Sequence, residues 1–319
     1  MSRVQQLLQR WPFAFALLLA LVLLVLNLLI SPSFLSPQRL PATLSTLAPF
    51  VLVGFASTPA ILSGGIDISV GPLATFINCF FVAILIPAGL GNWQVAAPLV
   101  LLLAAAIGAI NGVLIAVLRL HPVVATTGML FLLIGLSLTI AQNPIAAPDN
   151  WTEVFAGSVG IIPGALISIG AAALIWFGLR RTAFVSNLLA TGESDISAFG
   201  SGVNTTAVRI LAYSVGGLFA GIAGIALTAI VQSSQSSLAT TYALLGLAAA
   251  VLGGTSLAGG RGGLLGALFG AICIYLLQQL LTASGVAPSL IQFAYGALLV
   301  VGVVLGATLL TPRLKKVRS

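Results

Sequence analysis

Long apolar runs separated by short polar stretches dominate this sequence. Residues 11–30 form one run of about the ~20 residues that an α-helix needs to cross a bilayer, and no small-residue cleavage site follows it. Similar runs follow at approximately residues 43–62, 69–90, 93–118, 122–141, 160–179, 207–231, 241–258, 262–282 and 287–310. The pattern predicts an all-α fold, a polytopic membrane helical bundle of about ten transmembrane helices.

The basic residues obey the positive-inside rule when the N-terminus is placed in the cytoplasm. Of the 12 lysines and arginines, only Arg39 then lies outside. The largest outer segment, residues 142–159, contains Asp149 and Glu153 but no basic residue. We therefore expect both termini to be cytoplasmic, and residues 1–319 to form a single transmembrane domain.

The composition is typical of a membrane protein and indicates which partners the chain has. Hydrophobic residues make up 59% of the chain and charged residues 5%, whereas soluble proteins carry roughly 25% charged residues. The net charge is +7, but the basic residues are dispersed between apolar runs instead of forming a patch with aromatic residues. We therefore expect membrane lipid, and no nucleic acid, as a partner.

The residue types needed for catalysis are scarce. The only lysines, Lys315 and Lys316, lie in the C-terminal tail, so the chain carries no P-loop of the form G-x-x-x-x-G-K-[ST]. The single histidine, His121, joins no Ser/His/Asp or Cys/His constellation, and Cys79 and Cys273 lie inside apolar runs without a metal-ligand spacing. We expect no catalytic residue, no metal site and no cofactor in this chain.

The longest polar interruption, residues 180–206, reads RRTAFVSNLLATGESDISAFGSGVNTT. It contains Glu193 and Asp195, two of the five acidic residues, and it is rich in residues that cap helices or form turns. This pattern predicts a short helix flanked by turns. A polar segment in so apolar a chain indicates a docking surface for a soluble partner at the cytoplasmic side.

Two glycine-rich segments join predicted spans on the same side, SGGIDISVG at residues 63–71 and LGGTSLAGGRGGLLG at residues 252–266. Each is interpreted either as a tight turn or as a place where helices crowd together. Asp67 is expected to cap the helix that begins near Ser69 through the amides of Ser69 and Val70, and an ion-coupling site is the alternative. The residues of interest are Gly64, Gly65, Asp67, Ser69 and Gly71 in the first segment, and Gly253, Gly254, Gly259, Gly260 and Gly262 in the second.

Uncharged polar residues also occur inside the apolar runs. Amide side chains at such positions either line a path for a polyhydroxylated solute or form hydrogen bonds between helices. The candidates for a solute path are Asn78, Asn111, Gln232 and Gln278.

Three segments together resemble one known family. SGGIDISVG at residues 63–71, HPVVATTGM at 121–129 and AAVLGGTSLAGGRGGLLGALFGA at 249–271 are similar to signature segments of the permease subunits of bacterial ABC sugar importers of the ribose type. The resemblance extends from about residue 40 to residue 305 with order and spacing kept. Residues 180–206 resemble the loop through which that family contacts its ATPase, although Ile196 and Ser197 replace the usual acid and alanine.

The resemblance implies a transmembrane permease subunit that moves a monosaccharide or a similar solute across the bacterial inner membrane. Its implied partners are a second permease subunit, identical or different, cytoplasmic ABC ATPase subunits that bind ATP and Mg²⁺, and an extracytoplasmic sugar-binding protein. The residues implied in ATPase contact are Gly192, Glu193, Asp195, Ser201, Gly202, Val203 and Asn204. An ion-coupled secondary transporter or facilitator acting alone, and a purely structural membrane scaffold, are the alternatives.

Overall fold

The apolar runs of the sequence fold into α-helices in the computed structural model, which describes residues 12–148, 158–159, 162–238, 242 and 244–309. The helices are α1 (Ala14–Ile30), α2 (Leu40–Leu62), α3 (Val70–Phe80), α4 (Trp93–Ala116), α5 (Pro122–Ile140), α6 (Gly164–Arg180), α7 (Ala183–Glu193), α8 (Asp195–Gly200), α9 (Thr205–Val231), α10 (Leu245–Leu252), α11 (Leu264–Ala283) and α12 (Pro288–Leu309). A π-helix, Phe81–Leu90, continues α3, and a short hairpin of β1 (Ser158–Val159) and β2 (Ile162–Pro163) precedes α6. The prediction of an all-α membrane bundle is confirmed.

Within the described residues, six helices are long and apolar enough to cross a membrane: α2, α3 with its π-helical continuation, α4, α5, α9 and α11. A seventh span is formed if α6 and α7, which are bent by 81° relative to each other, count as one. Helix α1 and residues 288–302 of α12 are shorter apolar helices. These elements account for nine of the ten predicted spans.

The remaining predicted span, residues 241–258, is not a continuous helix in its described part. Only α10, with 8 residues, is helical for more than one turn there, and residues 253–263 are irregular. The described part of the predicted eighth run is therefore a short helix followed by irregular backbone. The run is mostly apolar, and apolar composition alone does not distinguish a continuous helix from a half-helix joined to irregular backbone.

Helix α9 lies at the centre of the bundle and packs against α2, α3 and α4. Small residues permit this packing, as the small-residue spacing of the sequence suggests. A methyl group added to Gly217 would collide with the carbonyl oxygen of Ala104, and one added to Gly224 would lie 2.6 Å from that of Ala74. Close backbone approach of this kind replaces the interdigitation of large side chains.

The three polar or glycine-rich segments singled out in the sequence lie at one end of the bundle. Residues 63–65, the end of α7 and residues 259–260 are in contact there, and Pro12, just before α1, reaches Gly254 at the same end. Residues 145–147 and 232–234 pair with each other at the other end of α9. Asp149 and Glu153 lie outside the described residues.

Candidate functional site

Backbone contacts join the segment 180–206 to both glycine-rich segments. The amide of Gly260 donates a hydrogen bond to the carbonyl oxygen of Leu62 at 3.1 Å. A methyl group on Gly192 would collide with that carbonyl oxygen and would lie 2.5 Å from the Gly260 nitrogen. A methyl group on Gly259 would lie 2.9 Å from the Cα atoms of both Gly192 and Gly64. We call this contact of Leu62, Gly64, Gly192, Gly259 and Gly260 the glycine junction.

The other predicted glycines occupy related close contacts. A methyl group on Gly65 would collide with the Tyr213 hydroxyl oxygen, and one on Gly262 would lie 2.6 Å from Thr255. Gly253 lies against Gly266 at the start of α11, Gly254 lies against Pro12, and Gly71 is buried in the first turn of α3. Both glycine-rich segments thus combine tight turns with helix crowding.

The segment 180–206 forms two short helices instead of the single predicted one. Thr182 caps α7 by accepting a hydrogen bond from the Phe184 amide, and Ser194 caps α8 by accepting one from the Ser197 amide. After α8, the amide of Gly202 donates to the carbonyl of Phe199, and that of Val203 donates to the carbonyl of Ala198. This pairing, with Gly202 at φ +86°, is the Schellman arrangement that ends helices.

Asn204 then starts the next helix. Its side-chain oxygen accepts a hydrogen bond from the Ala207 amide at 3.0 Å, which caps the N-terminus of α9. Ser201, whose hydroxyl donates to the Ser197 carbonyl, is exposed together with Gly202 and Asn204. The run from Ser201 to Asn204 is therefore a helix stop followed at once by a helix start.

Two apolar side chains project from α8. Ile196 is 87% exposed and Phe199 is 72% exposed, although they lie at the polar end of the bundle. Both line a cleft of about 1060 Å³ whose other walls come from residues 63–65, residues 115–122 and the first turns of α9. Exposed apolar residues beside a cleft at the polar end of a bundle are typical of a protein-docking surface. The sequence interpretation did not predict this role; the signal was two large apolar residues within a polar segment.

Ion pairs connect this segment to the bundle. Glu193 lies 3.3 Å from Arg261 in the second glycine-rich segment, and Asp195 lies 3.4 Å from Arg209 in α9. Both pairs are partly exposed, so each contributes about 0–1 kcal/mol at most. They orient the segment more than they stabilise the fold.

Asp67 occupies the turn between α2 and α3 and is only 3% exposed. Its Oδ1 atom accepts hydrogen bonds from the Ser69 amide at 2.9 Å and from the Ser69 hydroxyl at 2.6 Å. The Asn111 side chain on α4 donates to the same hydroxyl at 2.9 Å. Burial raises the pKa of the Asp67 carboxyl, while the hydrogen bonds from Ser69 and Asn111 act in the opposite direction. The expected bond to the Ser69 amide is present, and no bond to the Val70 amide is seen.

The four candidates for a solute path are in different environments. Asn78 is fully buried, and its side chain bonds to Thr228, Ser233 and Gln235. Asn111 is buried in the Asp67 cluster. Gln232 is exposed at the end of α9, with a left-handed backbone at φ +51°, and Gln278 is half-buried on α11. The structure does not bring them into one site.

Comparison with known proteins identifies relatives along most of the chain. The family described as "Branched-chain amino acid transport system / permease component" matches residues 40–304. The ribose import permease protein RbsC of Bacillus subtilis (strain 168) is 33% identical over 307 residues, which cover 92% of this chain and 91% of that protein. The fructose import permease protein FrcC of Rhizobium meliloti is 29% identical over 325 residues, which cover 95% of this chain and 87% of that protein.

A third relative has a different cargo in its name. The autoinducer 2 import system permease protein LsrC of Escherichia coli O157:H7 is 33% identical over 266 residues, which cover 80% of this chain and 75% of that protein. No solved structure matches the chain.

Proposed function

Because the chain belongs to the family of permease components of ATP-binding-cassette importers, we propose that it carries a monosaccharide, or a similarly small polyhydroxylated solute, across the inner membrane of a bacterium. Permease components of this family are subunits for transport, and the chain is therefore not an enzyme. ATP hydrolysis takes place on a separate ATPase subunit.

One observation carries the proposed cargo. Relatives named for the import of ribose and of fructose align with 92% and 95% of this chain. The uncharged amide and hydroxyl groups of the helical region agree with a solute that offers hydroxyl groups and no charge, since charged cargo would call for buried charged partners.

The proposed partners follow from the same family. ATPase subunits, with their bound ATP and Mg²⁺, dock on the segment 180–206, where Ile196 and Phe199 are exposed. A second permease subunit, either another copy or a related chain, completes the membrane part. An extracytoplasmic sugar-binding protein delivers the solute.

Reconstitution tests this function. The permease, its cognate ATPase and its cognate binding protein are incorporated into liposomes, and uptake of labelled ribose, fructose and leucine is measured with ATP inside the vesicles. We expect ATP-dependent uptake of at least one monosaccharide and none of leucine. Omission of the ATPase is the control, and we expect it to abolish uptake.

Two results would contradict the proposal. Uptake of leucine without any monosaccharide would assign the chain to amino acid transport, which the family description also includes. Uptake by the permease alone, driven by an ion gradient, would make the chain a secondary transporter.

A further inference from the structure

The described backbone that directly follows α9, residues 232–238, is irregular, and most of its side chains are polar. Residues 232–237 read QSSQSS, and the only helical part of residues 232–238 is a single 3₁₀ turn, Ser236–Leu238. Six consecutive residues with amide or hydroxyl side chains stand out between two strongly apolar helices.

This segment lies beside the middle of a membrane span. Asn78 is eight residues after the start and twelve before the end of the span Val70–Leu90. Its Nδ2 atom donates to the carbonyl oxygen of Ser233 at 3.0 Å, and its Oδ1 atom accepts from the Gln235 amide at 2.9 Å. At a rise of 1.5 Å per residue, Asn78 is about 12 Å from the first residue of α3. The backbone of residues 233–235 therefore lies well inside the span.

The backbone groups of this segment also pair with a neighbouring strand-like segment. The Ala147 amide donates to the Gln232 carbonyl, and the Ser234 amide donates to the Ile145 carbonyl, both at 2.8 Å. The Ser234 hydroxyl accepts from the Ile145 amide at 2.9 Å. These hydrogen bonds hold the irregular backbone in one defined conformation.

The side chains of this segment are partly exposed, although its backbone is held by hydrogen bonds. Gln232 and Ser237 are exposed, and Ser233, Gln235 and Ser236 are half-buried. Irregular backbone at membrane depth is found where it is buried in protein or lines a water-filled cavity, and it is not found against lipid. In transporters, irregular backbone at membrane depth occurs around the substrate site.

We infer that residues 232–237 line the solute path in the half of the membrane remote from the glycine junction. The side-chain amide of Gln235 and the hydroxyl groups of Ser233 and Ser236 face the hydroxyl groups of the solute. Asn78 is a positioning residue, because it holds the backbone on both sides of Ser234 and is itself fully buried. The identity of the solute rests on the proposed function, whereas the presence of a water-filled path does not.

Thiol accessibility tests the path without reference to the solute. In a permease with Cys79→Ala and Cys273→Ala, single cysteines are placed at Ser233, Gln235 or Ser236, and the rate of modification by a membrane-impermeant charged methanethiosulfonate is measured in the assembled complex. Phe131→Cys and Leu132→Cys are the controls, because these side chains are 67% and 62% exposed in the middle of α5 on the outer, apolar face of the bundle. Since a thiol reacts as its hydrated thiolate, which attacks the reagent and displaces sulfinate, we expect the path positions to react about tenfold faster or more than the controls. Rates equal to the controls would overturn the inference.

Transport kinetics test the solute contact. We expect Gln235→Leu to raise the KM for ribose, or for the monosaccharide that the wild type carries, by about tenfold, because a hydrogen bond to the solute is lost; Gln235→Asn should restore part of this loss. Co-purification with the ATPase shows that the variants assemble. An unchanged KM in Gln235→Leu would refute the contact. If the thiols react quickly but the wild-type complex transports no monosaccharide, the water-filled path is supported and the proposed function is refuted.

Discussion

Asp67 is only 3% exposed, and one oxygen atom of its carboxyl group accepts both hydrogen bonds from Ser69. The amide oxygen of an asparagine can still accept both hydrogen bonds, although each is weaker than a bond to a carboxylate. We therefore expect Asp67→Asn to keep most of the transport activity. Asp67→Ala leaves the Ser69 donors unpaired and should lower the stability by about 1–3 kcal/mol.

Thermal unfolding of the purified permease and uptake by the reconstituted complex measure these two effects. Near-complete loss of uptake in a stable Asp67→Asn variant would show that the charge itself is needed. That result would favour the ion-coupling alternative.

The pH dependence of stability gives a second test at Asp67. Burial raises the pKa of this carboxyl above its ordinary value of 3.8, so the folded state binds a proton more tightly than the unfolded state does. The contribution of this carboxyl to the free energy of unfolding is therefore fully present below that ordinary pKa. It is lost as the pH rises through the pKa of the folded state. We expect the wild type to lose stability over this window relative to Asp67→Asn, as measured by melting temperature against pH. Parallel curves for the two proteins would contradict the assignment.

Gly192 is the residue at which the glycine junction has the least room. An added Cβ would meet the Leu62 carbonyl oxygen and the Gly260 nitrogen, both backbone atoms that cannot rotate away. We expect Gly192→Ala to destabilise the protein by about 1–3 kcal/mol or more and to weaken ATPase binding, since α7 must shift. Gly170→Ala in α6 is the matched control, because a Cβ there meets nothing within 4 Å. Equal melting temperatures and ATPase binding for both variants would mean that the junction adapts.

The sequence predicted the local features of this site, and it did not predict the contacts between distant segments. Helix caps are local, so Asp195, Gly202 and Asn204 could be assigned to a capped turn from neighbouring residues alone. The contact of Gly192 with Gly260 joins positions far apart in the chain, and no periodicity connects them. The roles of Ile196 and Phe199 depend on which face of α8 is left uncovered, and only the packed structure determines that face.

Helix α8 presents the surface on which the ATPase is proposed to dock. We expect Phe199→Asp to assemble normally in the membrane and to weaken ATPase binding roughly a hundredfold, because it removes a large apolar contact and places a charge in the interface. Ser186→Asp on α7 is the control, since it adds the same charge to another exposed position of the segment. Binding of the isolated ATPase to permease in nanodiscs measures the difference. Wild-type affinity in the Phe199→Asp variant would show that α8 is only a connection between α7 and α9.

The elements themselves were predicted well where apolar runs end at charged or turn residues. Helices α2, α4, α5, α9 and α11 lie within a few residues of the predicted spans, because capping residues and prolines limit them. The eighth predicted run is broken because the backbone after α10 turns at Gly253 and Gly254, the latter at φ +85°.

Several basic residues of the molecule lie at the same end of the bundle as the contacts of the glycine junction. Arg119, Arg209 and Arg261 all lie at the end that carries the glycine junction, and Arg119 and Arg209 line the large cleft there. The positive-inside rule assigns such an end to the cytoplasm. The broken eighth span must still cross the membrane for α11 to run from this end to the opposite one.

Three single cysteines test this arrangement in a permease with Cys79→Ala and Cys273→Ala. Asn143 follows α5, Ser201 follows α8, and Ser284 follows α11; all three are exposed. We expect a membrane-impermeant maleimide to label Asn143→Cys and Ser284→Cys in right-side-out vesicles, and to label Ser201→Cys only in inverted vesicles. The reverse pattern would place the glycine junction outside. Labelling of Ser284→Cys together with Ser201→Cys would show that the segment containing α10 returns to the side from which it came, because an even number of crossings would then separate residues 201 and 284.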